Sequence, residues 1–473
     1  MTVATTTGTG ATVDVAHEAS SHRIGPRTDG ADLVVTMGDL LRVAVLAGRD
    51  ASDLASARAA ALGAYADVVA TLTSTDRLSF TERAALLRDA RPTVVLIVAG
   101  KKDADATLDQ VEALRFACGA GAARPLVLVA AEEGIRACVI ASAAPLSCET
   151  VPSPAERQGR EAIVARLRAL RREGSEVVLR DEAIEAAARA LAAVSRRSTL
   201  LLDVTGASTS LALALPDGVL VAAHAHIGIG PRADRVVARA GLDRVRRWMP
   251  RPIDAPALLE RVFNRARWPD AVAPNALALA LEMSLAREAL AQLFHEAARA
   301  GLDAAAMRGA QTVVATGDLA RLPRGAQTAL VVIDALGSGG TQLIARERPD
   351  ALVVAGAIAS RAAADMTEAT EDLALVLASW PKRAHSVTVV DDNGTTLERV
   401  VRGAFFVMPT SGSTTITVTG STAHYTAGAL SLGVIVDARG RPLELPPRDA
   451  ERLPTIARWY SALAALPIEG GTR

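Results

Sequence analysis

The chain has 473 residues, half of them hydrophobic and only 3% aromatic, and its 52 basic side chains are matched by 52 acidic ones. The length allows roughly two to four domains, and a balanced charge lacks the basic excess that general binding of nucleic acid or anionic membrane requires. Cys118, Cys138 and Cys148 show no metal-type spacing and suit reduced thiols better than a disulfide frame.

Residues 1–30 are rich in Thr, Gly and Ser without apolar periodicity and read as a disordered leader. They show no secretory signal pattern, and no apolar stretch in the chain is long enough for a membrane span. A cytoplasmic location is therefore expected. From residue 31 the pattern turns regular. Leu41-Arg42-Val43-Ala44-Val45-Leu46 predicts a strand, 52–64 an Ala-dense helix and 68–72 a second strand. A helix over 81–89 stops before Pro92. Thr93-Val94-Val95-Leu96-Ile97-Val98-Ala99-Gly100 and 125–130 are fully apolar strands, separated by a helix over 104–118. Such strands alternating with helices predict parallel pairing covered on both faces, so 31–152 is read as a three-layer α/β domain.

Pro152 and Pro154 mark a boundary. The segment 153–198 reads as a helical connector, with Ile163, Leu167 and Leu170 on one face of a helix over 157–172 and a second helix over 181–194. The next domain, 199–380, opens with Thr199-Leu200-Leu201-Leu202-Asp203-Val204, an apolar strand ending in a carboxylate. A Gly turn, a strand over 211–215, the turn Pro216-Asp217-Gly218 and a strand over 219–226 predict an antiparallel meander. A long helix follows Pro274, with Leu277, Leu281, Leu285, Leu290 and Phe294 keeping one face apolar. Then come a strand over 312–315, a turn at Gly317 and apolar runs at 330–333 and 352–355. In 381–473, stretches such as Thr414-Thr415-Ile416-Thr417-Val418 alternate β-branched and polar residues. They predict a β-rich C-terminal subdomain, closed by a helix carrying Trp459, Tyr460 and Leu463.

The chemistry concentrates in Asp203-Val204-Thr205-Gly206-Ala207-Ser208-Thr209-Ser210. A carboxylate at a strand end can hold a hydrated Mg²⁺, a Gly turn admits a phosphate to backbone N–H groups, and adjacent hydroxyls can donate to it. An ordinary Gly/Ser/Thr-rich hairpin fits the same residues. A second Gly turn, Ala315-Thr316-Gly317-Asp318, lies downstream behind the helical insert. This order resembles the actin/hexokinase/Hsp70-type ATPase fold, in which the hairpin holds phosphates and the later turn packs against adenosine. Elsewhere, His224 and His226 share a strand face without a third clustered ligand. Gly337-Ser338-Gly339-Gly340 reads as a flexible turn, and Gly100-Lys101-Lys102 lacks P-loop spacing.

A closer resemblance is to the MutL family of glutamate mutase accessory proteins, unrelated to the mismatch-repair protein of that name. It covers roughly residues 35–465 and is carried by stretches in order: Leu41-Arg42-Val43-Ala44-Val45 with 59–64, and Arg91-Pro92 with Leu96-Ile97-Val98-Ala99-Gly100. Next come the Asp203 hairpin, Thr316-Gly317, and Asp334-Ala335-Leu336 with Ala355-Gly356-Ala357. The most specific stretch is Gly433-Val434-Ile435-Val436-Asp437-Ala438-Arg439-Gly440-Arg441-Pro442-Leu443, followed by Arg452 and Arg458-Trp459.

The resemblance implies an α/β protein of actin-like ATPase (ribonuclease H-like) lobes, with the three-layer unit added and a β-rich C-terminal subdomain. It implies a nucleotide site at Asp203, Thr205, Gly206, Ser208, Thr209, Thr316 and Gly317, with Asp203 as the Mg²⁺ ligand. The chain departs from the family pattern in four places. No Asp-x-Gly-Ser-Thr hairpin occurs in residues 1–40, and Ala99-Gly100-Lys101-Lys102-Asp103-Ala104 replaces Gly-Gly-Thr-Asp-Gly-Gly. Thr205 and Ser210 stand where the family has Gly and Asp, and His224-Ala225-His226-Ile227-Gly228 replaces an acidic stretch. Phosphate loops from both lobes are needed to clamp a nucleotide and orient water. The expectation is thus weak binding of Mg²⁺ and ATP, no tightly bound cofactor and no efficient hydrolysis, in an accessory protein to an adenosylcobalamin-dependent mutase. The alternative is a scaffold that has lost nucleotide binding. Gly433 to Leu443 is expected to be structural, with Arg439 and Arg441 positioning the chain.

Overall fold

An apolar strand hides both its faces only where helices cover the sheet above and below, and the first half of the chain meets that demand. The computed structural model describes residues 40–118, 124–172, 178–349, 351–360, 366, 368–378, 430–441 and 443–466. It also describes segments 5–6, 12–18, 21–24, 33–36, 386–391, 396–400, 405–409, 414–418 and 424–427. The chain divides into two units.

The first unit comprises 1–181, 221–225 and 295–303. Its strands β1 (Thr5–Thr6), β2 (Thr12–Glu18), β3 (Ser21–Ile24) and β4 (Leu33–Thr36) pair antiparallel in sequence. Part of the segment read as a leader thus has strand geometry; its other residues lie outside the described ones. Then β5 (Arg42–Ala47), α1 (Ala51–Gly63), β6 (Asp67–Thr73), α2 (Phe80–Ala90) and β7 (Val94–Ala99) follow. The alternation continues through α3 (Ala104–Ala117), β8 (Leu126–Ala131), α4 (Glu133–Ala143), β9 (Cys148–Thr150) and α5 (Arg157–Arg172). The five strands form an all-parallel sheet in the order β6-β5-β7-β8-β9. Successive residues go to opposite faces: Leu46, Ile97 and Val129 join one core, and Val45, Leu96 and Leu128 the other. Ile163 and Leu167 of α5 complete the second core, so the first helix of the expected connector packs on this sheet. A short strand β10 (Val178–Leu179) adds to β4 in parallel.

The second unit comprises 182–220, 226–294 and 304–473. After α6 (Arg180–Ser195) come β11 (Thr199–Val204), β12 (Thr209–Ala214) and β13 (Leu220–Ala225). The helical insert holds α7 (Ala233–Ala240), α8 (Leu242–Arg246), α9 (Ala255–Arg267), α10 (Ala276–Arg299) and α11 (Ala304–Arg308). Next are β14 (Thr312–Gly317), α12 (Gly325–Leu336), β15 (Gly340–Glu347), α13 (Ala351–Ala359) and β16 (Thr370–Ala378). The apolar runs at 330–333 and 352–355 are therefore helical, and α12 ends on Gly337 with φ 58°, a left-handed cap that glycine adopts without strain.

The chain closes with β17 (Ser386–Asp391), β18 (Thr396–Val400), β19 (Phe405–Met408), β20 (Thr414–Val418), β21 (His424–Ala427), β22 (Gly433–Asp437) and α14 (Asp449–Ala462). A mixed eight-stranded sheet runs β13-β12-β11-β14-β15-β16-β22-β19. Strand β12 is antiparallel to β11, whereas β14 and β15 continue parallel to it. Four of the C-terminal strands form a separate antiparallel sheet, β18-β17-β20-β21. The other two, β19 and β22, extend the large sheet instead, with β22 parallel to β16.

Beyond β22 the chain turns into a buried ionic cluster. Arg439 Nε donates to Asp437 at 2.9 Å, and its Nη2 lies 2.8 Å from both Asp437 and Asp334. Its guanidinium also stacks on Phe405 and Trp459, at 4.0 and 4.6 Å from the ring centres. Arg441 donates to Asp437 and to the Ser338 carbonyl. Arg287 bonds Asp334 at 2.8 Å and the Tyr460 hydroxyl at 3.1 Å. The segment expected to be structural is thus the clasp joining β22, α10, α12 and α14. No described helix is long and apolar enough to cross a membrane, and Cys118, Cys138 and Cys148 form no disulfide.

Candidate functional site: the Asp203 hairpin

Strand β11 is buried along its whole length, flanked by β12 and β14. The register sets Asp203 opposite Ser210 on one side and Thr316 on the other, and Val204 between Thr209 and Gly317. The hairpin and the later Gly turn therefore meet at one end of the sheet, as the sequence order predicts. Asp203 is only 2% exposed, and a buried carboxylate needs hydrogen bonds to offset its lost hydration. The Thr316 hydroxyl supplies one, donating to Asp203 Oδ1 at 2.6 Å.

The turn itself is closed by Thr205. Its Oγ1 accepts from the backbone N–H of Ser208 at 3.0 Å and of Ala207 at 3.3 Å. It also lies 3.1 Å from the Ser208 carbonyl and from Ser208 Oγ. A short hydroxyl side chain that bonds the backbone two and three residues on makes a local turn of this kind. The carbonyl side of the turn is tied down as well. Ile229 N–H donates to Thr205, and Gly230 and Arg232 N–H donate to Gly206. A Cβ on Gly228 would lie 2.5 Å from the Gly206 backbone, so only glycine permits this approach. Thr209 Oγ1 donates to the Ile227 carbonyl at 2.9 Å.

One acidic residue that the sequence did not single out, Glu347, joins the site. Glu347 accepts from Gly317 N–H at 3.3 Å through one oxygen, and through the other from the N–H groups of Leu352 and Val353 at the start of α13. Asp318 N–H donates to the Val204 carbonyl at 2.7 Å. Burial, opposed by Arg265 at 3.3 Å and reinforced by Asp318, pushes the Glu282 carboxyl above the usual range. The string Gly228-Ile229-Gly230-Pro231 was the available sequence signal for the covering segment, since closely spaced glycines mark tight backbone approach.

Gly317 has φ 67°, and a Cβ there would stand 2.6 Å from the Val204 carbonyl oxygen and 2.7 Å from Asp203 Oδ1. Gly317→Ala is expected to lower stability by about 1–3 kcal/mol through strain, read as an earlier urea midpoint. An unchanged midpoint would mean that the turn relaxes freely.

All seven residues expected at a nucleotide site are thus adjacent, but their polar groups do not suit a phosphate as they stand. The Ala207 and Ser208 amides serve Thr205, and the Thr209 and Thr316 hydroxyls serve protein acceptors. Among the described residues, no group of three or more His, Cys, Asp or Glu side chains is arranged to hold a metal ion. Lys101 and Lys102 are exposed. Ser338 donates to Gln342 at 3.1 Å. No protein-family model matches this chain, and no curated protein matches it.

Proposed function

We propose that the chain is an accessory protein built on an actin-like ATPase lobe, whose nucleotide turn is retained in layout and closed in detail. The hairpin β11–β12, the helical insert and the parallel strand β14 with its Gly turn support the actin-like reading. The observation that carries the functional reading is the pair of bonds from the Ala207 and Ser208 amides to Thr205 Oγ1. In a phosphate turn these amides would be the donors to the ligand, and competing with Thr205 for them costs the ligand affinity. The Mg²⁺ and ATP of the sequence reading therefore bind weakly, and no hydrolytic step is assigned. The partner is an adenosylcobalamin-dependent mutase, a proposal that rests on the resemblance to the MutL family alone.

Calorimetric titration of the full chain with ATP and MgCl₂, paired with a phosphate-release assay, tests the site. Binding in the millimolar range without turnover is expected. Micromolar binding with steady turnover would refute the closed-turn reading. Binding of a purified adenosylcobalamin-dependent mutase in the absence of nucleotide tests the partner, and failure to bind with or without ATP would remove it. The scaffold reading is favoured over nucleotide binding if ATP does not bind at millimolar concentration and the mutase still does.

A further inference from the structure

In a parallel sheet of order β6-β5-β7-β8-β9, the chain leaves the carboxyl ends of β5 and β7 in opposite directions, which opens a crevice there. The residues at this edge carry an unbalanced set of oxygen acceptors. Asp103 follows β7 and packs against Gly48, just after β5; a Cβ on Gly48 would stand 2.4 Å from Asp103 Oδ2, so a larger residue there would displace the Asp103 carboxylate. That oxygen accepts the Arg49 N–H at 3.2 Å, whereas the buried Oδ1 accepts no hydrogen bond. From α3, Gln110 reaches back and donates Nε2 to the carbonyl of Ala47, the last residue of β5, at 3.4 Å. Its Oε1 has no partner, and neither has Oγ1 of Thr107 one turn before it. Gln110 and Thr107 are 0% and 1% exposed. Buried polar atoms without partners are rare and call for an explanation such as a bound group.

The surroundings define the charge of that group. Burial raises the Asp53 carboxyl, and the neighbouring charges of Asp50, Asp103 and Glu132 add to the effect. Against these four carboxylates stands Arg49, 3.4 Å from Asp103 Oδ1 but with a side chain 75% exposed. Lys101 packs on Gly134, where a Cβ would stand 2.4 Å from its Cε. A ligand here must supply hydrogen-bond donors and positive charge.

We infer that the crevice between β5 and β7 binds the protonated amine of a small organic molecule, held by Asp103, Thr107 and Gln110 beneath the Asp53 and Glu132 carboxylates. An ammonium group has three donors and no acceptor, which matches the two unpartnered oxygens of Thr107 and Gln110 and Asp103 Oδ1, whose ion-pair partner Arg49 is largely exposed. A bare divalent cation matches less well, because no three acidic, His or Cys side chains converge at metal distance among the described residues. The site lies within the first unit and does not depend on the Asp203 hairpin.

Titrating the full chain with putrescine at constant ionic strength, with MgCl₂ and NaCl in parallel, tests the site. Saturable one-site binding of putrescine alone is expected, weakened at least tenfold in Asp103→Asn and in Gln110→Leu. Gln110→Leu removes an unpartnered buried carbonyl and so should fold even if Asp103→Asn does not. Saturation by MgCl₂ in place of the amine, heats that never saturate, or binding equal in wild type and Gln110→Leu would each overturn the proposal.

Discussion

Replacing Arg439 by alanine is expected to cost about 3–5 kcal/mol of stability, the range typical when one member of a buried ion pair is removed. The guanidinium is 1% exposed and faces Asp437 and Asp334, which are 0% and 1% exposed. Without it two carboxylates lose a cation they cannot exchange for water. The planar group also fills the space between Phe405 and Trp459, so Arg439→Lys should recover only a minor part of the loss. Urea unfolding of the full chain, followed by tryptophan fluorescence, would read it, because Trp459 sits in the cluster. A change below about 1 kcal/mol would show that the pairs count no more than surface ones.

The same cluster sets an acid limit. Burial pushes the Asp437 carboxyl up, but attraction and hydrogen bonds from Arg439 and Arg441 outweigh it and bring the carboxyl down to about 2. A folded value below the usual 3.8 means that unfolding takes up protons in acid. The stabilisation, about 2 kcal/mol, is complete above pH 4 and is lost as pH falls towards 2. Arg439→Ala should flatten that slope.

What the sequence disclosed follows from how local each signal is. The runs Val94–Ala99 and Leu126–Ala131 could only be buried strands, and both pair in parallel as their apolar faces require. The Asp203 hairpin was legible because its turn residues are contiguous. The runs at 330–333 and 352–355 were not, since four apolar residues fit a buried strand or a buried helix turn equally well. The ionic clasp was half legible. Asp437, Arg439 and Arg441 stand together in the chain, but Asp334 and Arg287 come from distant helices and no periodicity ties them to β22. Near β7 the sequence drew the eye to Lys101 and Lys102, whereas the groups buried at the strand edge are Thr107 and Gln110. On a single helix they look like ordinary polar breaks in an apolar face. The closure of the Asp203 turn lay beyond the sequence altogether, because it depends on which way one threonine hydroxyl points.

That hydroxyl gives the sharpest test of the proposed function. In Thr205→Gly the amides of Ala207 and Ser208 lose their internal acceptor and become available to a phosphate oxygen. A hydrogen bond to a charged group contributes roughly 1.5–3 kcal/mol, while an added glycine costs about 1 kcal/mol in backbone entropy. Two freed donors should therefore leave a net gain of about 2–5 kcal/mol, a Mg·ATP affinity some 30–4000-fold higher. Thr205→Ser keeps the hydroxyl and should gain nothing, which separates an opened turn from a merely loosened one. Adding Asp203→Ala to Thr205→Gly should erase the gain, because on the proposed reading the carboxylate opposite Thr316 would anchor the cation side of the site. Turnover should stay absent in every variant, since freeing these amides supplies no group to orient water. If Thr205→Gly and wild type bind ATP alike, the hairpin is not a phosphate turn held shut, and the chain's role is that of a scaffold in which Asp203 and Thr316 do no more than join two strands.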